Sequence, residues 1–137
     1  MYLCYFSANN LFAPGLQRVF IHPSSLNFNA TSFGNCFIMY GDRQFTSKAF
    51  LRETTEVSAF PILFFGGAMV ANYSIGLVTI DGWLRFSAPG RIVALVQGLR
   101  EAVDSILEMK IVDPSFDIYS SLPLQVAVRL ILSDGMG

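Results

Sequence analysis

The first half of the chain carries short runs in which apolar residues are continuous or alternate with polar ones, a pattern that predicts strands. We predict strands over residues 17–22, 36–40 and 45–54. The turn residues Gly41-Asp42-Arg43 between the last two favour a hairpin at that position. Residues 23–35, rich in Ser, Asn, Thr and Gly, predict a long loop, and residues 1–15 predict a leader before the domain.

The second half of the chain begins with a predicted short helix over residues 58–67. Ser58 is expected to cap its first turn, and Gly66-Gly67 is expected to end it. Two short strands follow, over residues 77–80 and 83–86. They lie on either side of Asp81-Gly82, a dipeptide favoured in tight hairpin turns.

A long amphipathic helix is predicted over residues 88–110, with Ser87 as its cap, and a final short helix over residues 124–132. Arg100 and Asp104 lie four residues apart and are expected to form a weak pair on the polar side of the long helix. The helical period predicts that its apolar face consists of Ile92, Leu95, Val96, Leu99, Val103, Ile106 and Leu107.

The order of these elements predicts the fold class. A mainly β protein with three strands, a short helix, two strands and a long C-terminal helix has the order of an OB-fold, a five-stranded Greek-key barrel that binds oligonucleotides on one face. The short helix then lies between strands three and four. We therefore divide the chain into a leader over 1–16, an OB-fold domain with the long helix over 17–110, and a helical extension over 111–137.

Composition changes the expected surface of this fold. Hydrophobic residues make up 53% of the chain, charged residues 14%, and Phe occurs 13 times. Such a chain is not disordered, and its longest apolar run, 59–71, is too short and too interrupted to span a bilayer. We expect a fragment of a larger protein whose exposed apolar surface allows self-association. A homo-oligomer or a dense core is the alternative.

Charge and reactive residues exclude several classes of function. The formal net charge of -1 excludes a strongly basic nucleic-acid module but leaves room for a basic patch. Cys4 and Cys36 lie among apolar residues and predict buried, reduced thiols of an intracellular protein. With His22 as the single histidine, no metal site is expected. No catalytic constellation is present, so no enzyme activity is predicted for this chain.

Five strings of the sequence occur in the order and spacing of a known family: residues 21–28, 45–58, 63–67, 81–86, and 91–96 leading to Leu99-Arg100. Over about residues 18–114 they closely resemble the C-terminal OB-fold domain of DEAH/RHA-type ATP-dependent RNA helicases, in the RHA-like branch. The resemblance implies an accessory domain that follows two RecA-like motor domains, a winged helix and a helical ratchet domain. Such a domain caps the tunnel through which single-stranded RNA passes.

The resemblance also implies cofactors and partners. The sequence has neither a G-x-x-x-x-G-K-[ST] phosphate loop nor an Asp-Glu-Ala-His string, so ATP and Mg²⁺ are expected only in the motor domains of the parent helicase. The expected partners are single-stranded RNA, bound weakly, and the helicase core in cis, with no membrane. A cytoplasmic or nuclear location is expected.

The first candidate for RNA contact is the segment 43–48. In the resembled family a Thr-Thr or Thr-Ser step at this place faces the RNA, and here the step is Thr46-Ser47. Hydroxyls, together with the charges of Arg43 and Lys48, suit phosphate oxygens. Phe45 stands where relatives often carry a basic residue, so stacking on a base is expected there. The alternative is an ordinary strand start with Phe45 in the core.

Further candidates lie on either side of this segment. Arg52 is predicted to contact RNA or to form a salt bridge with a motor domain, whereas residues 54–56 are expected to set a turn and the following helix start. His22, Ser24 and Ser25 are secondary RNA-binding candidates, because the first long loop often frames the ligand of an OB-fold. A hydrogen-bonded structural role is the alternative for His22.

Two other functions stay open at this point. The first is a protein-interaction module that binds motor domains or a cofactor protein and makes negligible RNA contact. The second is a free-standing OB-fold protein with an unrelated ligand. The near-zero net charge favours weak RNA binding over strong binding in every case, because affinity for phosphates scales with the cations that neutralise them.

Overall fold

The computed structural model of the chain describes residues 3–7, 10–15 and 17–134. The chain divides into two units, Met1–Ser58 and Ala59–Gly137. Within the described ranges, no helix has both the length and the apolar character that crossing a membrane requires. Each unit has its own sheet, and the two are described in turn.

The first unit contains seven strands and a short 3-10 helix, Leu26–Asn29. The strands are β1 Leu3–Ser7, β2 Asn10–Ala13, β3 Gln17–Ile21, β4 Phe37–Met39, β5 Asp42–Phe45, β6 Ala49–Arg52 and β7 Thr55–Val57. They form one sheet in the order β5-β6-β3-β2-β1-β4-β7. All pairs are antiparallel except β3 with β6, which is parallel and sets Phe20 opposite Phe50.

Burial alternates along these strands, because successive side chains of a strand point to opposite faces. The core of the unit consists of Cys4, Leu11, Ala13, Val19, Ile38, Tyr40, Ala49 and Leu51. Burial raises the pKa of the Cys4 thiol to about 12, because the thiolate would lose its hydration. Cys36 is exposed, so the prediction of two buried thiols is wrong for Cys36.

The segment expected to be a leader instead contributes two strands to this sheet, β1 and β2. Cys4 and Ala13 in these strands are fully buried. β1 pairs with β4, where Cys4 lies opposite Ile38. That pairing is distant in sequence, so the local pattern of residues 1–15 does not reveal it.

The predicted hairpin across Gly41-Asp42 is wrong. β4 pairs with β1 and β7, and the hairpin is formed by β5 and β6, with Asp42 opposite Arg52 and Phe45 opposite Ala49. The Gly41 N–H donates to the Arg52 carbonyl oxygen at 3.2 Å, which extends the β5–β6 ladder by one residue. The tight turn therefore lies between Phe45 and Ala49.

The second unit consists of α1 Ala59–Phe65, β8 Met69–Asn72, β9 Leu77–Ile80, β10 Leu84–Ser87, α2 Gly90–Val112 and α3 Leu122–Ser133. Its strands form an antiparallel sheet in the order β10-β9-β8. Asp81, Gly82 and Trp83 join β9 to β10, and the first two have φ angles of 51° and 76°. Both values suit a type I′ turn, the turn that Asp-Gly favours, so this hairpin is as predicted. β8 is a strand that the sequence pattern did not predict.

The three helices pack around Phe64, Val103 and Ala127, all fully buried. The rings of Phe60 and Phe64 stack at 5.7 Å between centroids. The predicted apolar face of α2 is only partly right. Val93, Val103 and Ile106 are buried on α2, whereas Ile92 and Leu95 are exposed.

The predicted cap of the long helix is also wrong. Ser87 is the last residue of β10, and Pro89 occupies the N-cap position of α2 without a side-chain capping bond.

The Phe60 N–H in the first turn of α1 donates to Asp134 Oδ2 at 2.9 Å. A carboxylate distant in sequence therefore stabilises the start of α1.

The prediction of a mainly β protein with helices is confirmed, but the number of strands is not. The described residues form ten strands rather than five. The short helix α1 follows β7, and the long helix α2 follows β10. The boundary between the two units falls after Ser58. The division of the chain into a leader, an OB-fold domain and a helical extension stays a prediction.

Candidate nucleic-acid interface

The hairpin tip, residues 43–48, holds five of the predicted RNA-binding residues at the β5–β6 turn. Phe45 is 63% exposed and is therefore not part of the core. The guanidinium carbon of Arg43 lies 4.5 Å from the centroid of the Phe45 ring. Arg43 Nη2 donates to Gln17 Oε1, while its Nε is buried without a hydrogen-bond partner in the described part of the chain. The arginine thus holds the exposed ring by a cation–π contact.

Thr46, Ser47 and Lys48 form the turn, and all three are exposed. The Thr46 N–H donates to the Lys48 carbonyl oxygen at 3.0 Å, which closes the turn. The backbone is therefore fixed while the side chains remain accessible. Two hydroxyls and one ammonium group are thus presented side by side, and all three can donate to phosphate oxygens.

Lys48 also belongs to a second cluster, on the face of β3 and β6 opposite the core. Its Nζ lies 4.5 Å from the centroid of the Phe20 ring, and the guanidinium carbon of Arg18 lies 4.9 Å from the same centroid. The rings of Phe20 and Phe50 are 6.2 Å apart between centroids. We call this cluster the Phe20 face; its members are Arg18, Phe20, His22, Lys48, Phe50 and Arg52.

His22 and Arg52 form one end of the Phe20 face. The His22 ring meets the Phe50 ring edge-on at 5.8 Å, and Arg52 Nη2 lies 3.0 Å from His22 Nε2. The other ring nitrogen, Nδ1, accepts from the Ser24 N–H at 3.1 Å and lies 2.7 Å from Ser24 Oγ. Both ring nitrogens of His22 are therefore hydrogen-bonded, and its contact with RNA stays a prediction.

Ser25 lies away from both groups of residues, against the segment after β6. Its Oγ is 3.0 Å from Thr54 Oγ1, and Asn27 Nδ2 donates to the Thr54 carbonyl oxygen at 2.7 Å. These bonds fasten the long loop to the strand end. A cleft of about 480 Å³ lies beside them, lined by Ser24, Ser25, Leu26, Asp42, Arg52, Glu53 and Thr54. Its two carboxylates make it a poor site for phosphate.

Seven of the nine predicted site residues thus lie at the hairpin tip or on the Phe20 face, with Lys48 in both, whereas Ser24 and Ser25 belong to neither group. Sequence reasoning missed Arg18, Phe20 and Phe50. The signal that could have found them is a two-residue period, in which a ring is flanked by basic residues along β3 and again along β6. As far as the chain is described, no carboxylate lies within 4.0 Å of Arg18, Lys48 or Arg52, so these charges are not neutralised by ion pairs.

Each of the two units is matched over most of its length by the model of a known protein family. Residues 9–69 match the family model of the oligonucleotide/oligosaccharide-binding (OB) fold, and residues 76–134 match the model of the C-terminal domain in RNA helicases. The chain belongs to the C-terminal region of RNA helicases. Within this helicase region, the OB-fold match contains the hairpin tip and the Phe20 face, and the second match contains β9, β10, α2 and α3.

Relatives of this helicase region are DEAH/DExH-type helicases. The chain is 34% identical over 114 residues to the ATP-dependent RNA helicase dhx29 of Xenopus laevis, covering 83% of this chain and 8% of that protein. It is 37% identical over 123 residues to the chloroplastic DExH-box ATP-dependent RNA helicase DExH4 of Arabidopsis thaliana, 88% and 9% of the two chains. It is 39% identical over 98 residues to the ATP-dependent DNA/RNA helicase DHX36 of Mus musculus, 70% and 10% of the two chains. The chain therefore spans at most a tenth of these relatives, and the resemblance noted from the sequence is confirmed.

Proposed function

We propose that this helicase region is an accessory domain that contacts single-stranded RNA through the hairpin tip and packs on the motor core of an ATP-dependent RNA helicase. The observation that carries the proposal is the hairpin tip itself, in which an exposed ring, two hydroxyls and two basic side chains lie within residues 43–48. The relatives are named as ATP-dependent RNA helicases, which supports ATP and Mg²⁺ as cofactors of the parent's motor domains.

The side chains of the hairpin tip can contact the phosphates and the faces of the bases, two features that a single-stranded RNA of any sequence presents. Lys48 and the hydroxyls of Thr46 and Ser47 can donate to phosphate oxygens. Arg43 covers one face of the Phe45 ring, and the 63% exposure of that ring leaves area on which a base can stack. Because few cations take part, binding is weak and falls only moderately with salt.

The charge contribution is tested by the double variant Arg43→Ala/Lys48→Ala of the full chain, titrated with a fluorescent single-stranded oligouridine at several salt concentrations. We expect weaker binding to every RNA sequence, because phosphate contacts carry no sequence information. The slope of log affinity against log salt should become less steep by about 0.7 in magnitude, the contribution of one phosphate contact on a single strand, because Lys48 is the cation of the tip assigned to a phosphate. The matched control is Arg85→Ala/Arg91→Ala, which removes two exposed arginines of the second unit and should bind as the parent chain does.

The variant Phe45→Ala separates stacking from charge in the same titration. It should weaken binding by about 1–3 kcal/mol while leaving the salt slope unchanged. If a folded Phe45→Ala chain keeps its full affinity, the stacking role is wrong. If the double charge variant also binds normally, the hairpin tip is not the RNA contact.

A protein-interaction module is the second candidate, and a specific feature of the second unit favours it. Val70, Ile75 and Leu95 are exposed apolar side chains on β8, the β8–β9 turn and α2. The Tyr73 O–H donates to Gln97 Oε1, which links that turn to α2 and holds the exposed side chains on neighbouring elements. Apolar surface of this kind suits a protein partner, such as the motor domains or a second copy of the chain.

A further inference from the structure

A pocket lies between β3 and the loop that follows it, beside the Phe20 face. Its volume is about 260 Å³, below the range of about 300–1,000 Å³ that is typical of pockets for drug-sized ligands. The ring-bearing residues of its wall are Phe20, Phe28, Phe33 and Phe50. A space of this size with aromatic walls suits a single planar ring system.

The charged side chains at the pocket are both positive. Arg18 is the single charged residue in its wall, and the Lys48 ammonium lies 4.5 Å from the centroid of the Phe20 ring that forms part of that wall. Neither side chain has a carboxylate partner within 4.0 Å in the ranges that the structure describes. An aromatic pocket bordered by two unneutralised cations is complementary to a planar ring that carries a negative charge beside it.

From these observations we propose that the pocket receives one unstacked nucleobase of a single-stranded RNA, with Arg18 and Lys48 at the phosphates beside it. The inference rests on the proposed function and extends it from the hairpin tip to a second contact. Lys48 belongs to both places, so a strand that follows the tip reaches the pocket without crossing an acidic surface. The cleft that Arg52 lines together with Asp42 and Glu53 contains two carboxylates and lacks this complementarity.

The chemistry of the pocket also determines its specificity. The Phe rings themselves offer stacking surface but no hydrogen-bond donor or acceptor, so their contribution does not depend on which base is bound. Phe28 lies in the 3-10 helix and is half exposed, which makes it the accessible wall of the pocket. Binding of a base would bury this ring, and its removal should open the pocket without disturbing the core of the sheet.

The test uses the full chain and a single-stranded oligouridine in which one position carries the fluorescent base 2-aminopurine. Stacking in the pocket should quench this fluorophore on binding. In Phe28→Ala and in Phe20→Leu the quenching should be lost and the affinity should fall at least fivefold, because base–aromatic stacking is worth about 1–3 kcal/mol per base. Neither variant should change the salt slope. Phe12→Leu, which replaces a half-buried ring of β2 outside the pocket, should behave as the parent chain.

A further variant separates the two proposals. Arg18→Gln should make the salt slope less steep by about 0.7 in magnitude, because one phosphate contact is removed. If the chain binds RNA and loses affinity in Arg43→Ala/Lys48→Ala, yet Phe28→Ala, Phe20→Leu and Arg18→Gln all bind as the parent does, the pocket proposal is wrong and the proposed function stands. If the parent chain itself does not bind single-stranded RNA, both proposals are wrong.

Discussion

Phe64→Ala is expected to lower the free energy of unfolding of the second unit by about 3–5 kcal/mol, the usual cost of removing a buried aromatic side chain. Phe64 is fully buried against Val103 of α2 and Ala127 of α3, and its ring stacks on Phe60. Truncation leaves a cavity at the point where all three helices meet. Urea unfolding followed by far-UV circular dichroism reports this loss, because all three α-helices lie in the second unit.

Phe65→Ala is the matched control for this prediction. Phe65 is the next residue of the same helix and is 51% exposed, so its truncation should change the unfolding midpoint far less. Equal losses in the two variants would contradict the helix packing described here. A loss in Phe65→Ala alone would show that α1 is rotated about its axis.

Arg100→Ala is expected to cost about 3 kcal/mol, since hydrogen bonds from a charged group contribute about 1.5–3 kcal/mol each and are not additive. Its guanidinium donates to the carbonyl oxygens of Leu63, Gly66 and Gly67 at 3.1, 2.6 and 2.6 Å. These carbonyls lie at the end of α1 and just beyond it, where no further turn of helix satisfies them. The side chain is 13% exposed, so water replaces the lost bonds poorly.

Two further variants show which contact of Arg100 matters. Asp104→Ala removes only the ion pair, in which Arg100 Nε and Asp104 Oδ2 are 3.6 Å apart and the carboxylate is 52% exposed. It should cost less than about 1 kcal/mol, as is usual for exposed pairs. Arg100→Lys keeps the charge but cannot reach three carbonyls at once, so it should resemble Arg100→Ala in the same unfolding experiment. If Asp104→Ala were as costly as Arg100→Ala, the carbonyl contacts would not be the source of stability.

Elements with a local signal could be predicted from the sequence. The Asp81-Gly82 turn specifies its own hairpin, and the long helix α2 shows a clear helical period although its buried stripe is rotated. Arg100 was assigned to the polar side of that helix, because nothing in the local pattern shows that the carbonyls after α1 meet it. The strands β1 and β2 were not predicted, although β1 pairs with β2 and β2 with β3 close by in the sequence; only the pairing of β1 with β4 is distant.

The residues of the candidate site could likewise be predicted only where they are adjacent in the sequence. The hairpin tip was found because its polar and basic residues are consecutive, although its hairpin partner was assigned wrongly. The Phe20 face was missed because its members come from two strands that lie side by side only through the parallel β3–β6 pairing. Before that pairing is known, Phe20 and Phe50 look like ordinary strand residues. The spacing of basic and aromatic residues along each strand is therefore not enough to predict the Phe20 face, because the pairing of β3 with β6 must also be known.

The first unit of this helicase region is proposed to contact single-stranded RNA through the hairpin tip and the Phe20 face. Amide chemical shifts of the isotope-labelled chain, recorded while a short oligouridine is added, test it most directly because they map the contact residue by residue. We expect the largest changes on residues 17–22 and 43–52, while the amides of α2 and α3 stay nearly unchanged. Shifts confined to α2 and α3, or none at all with the RNA in excess, would contradict it.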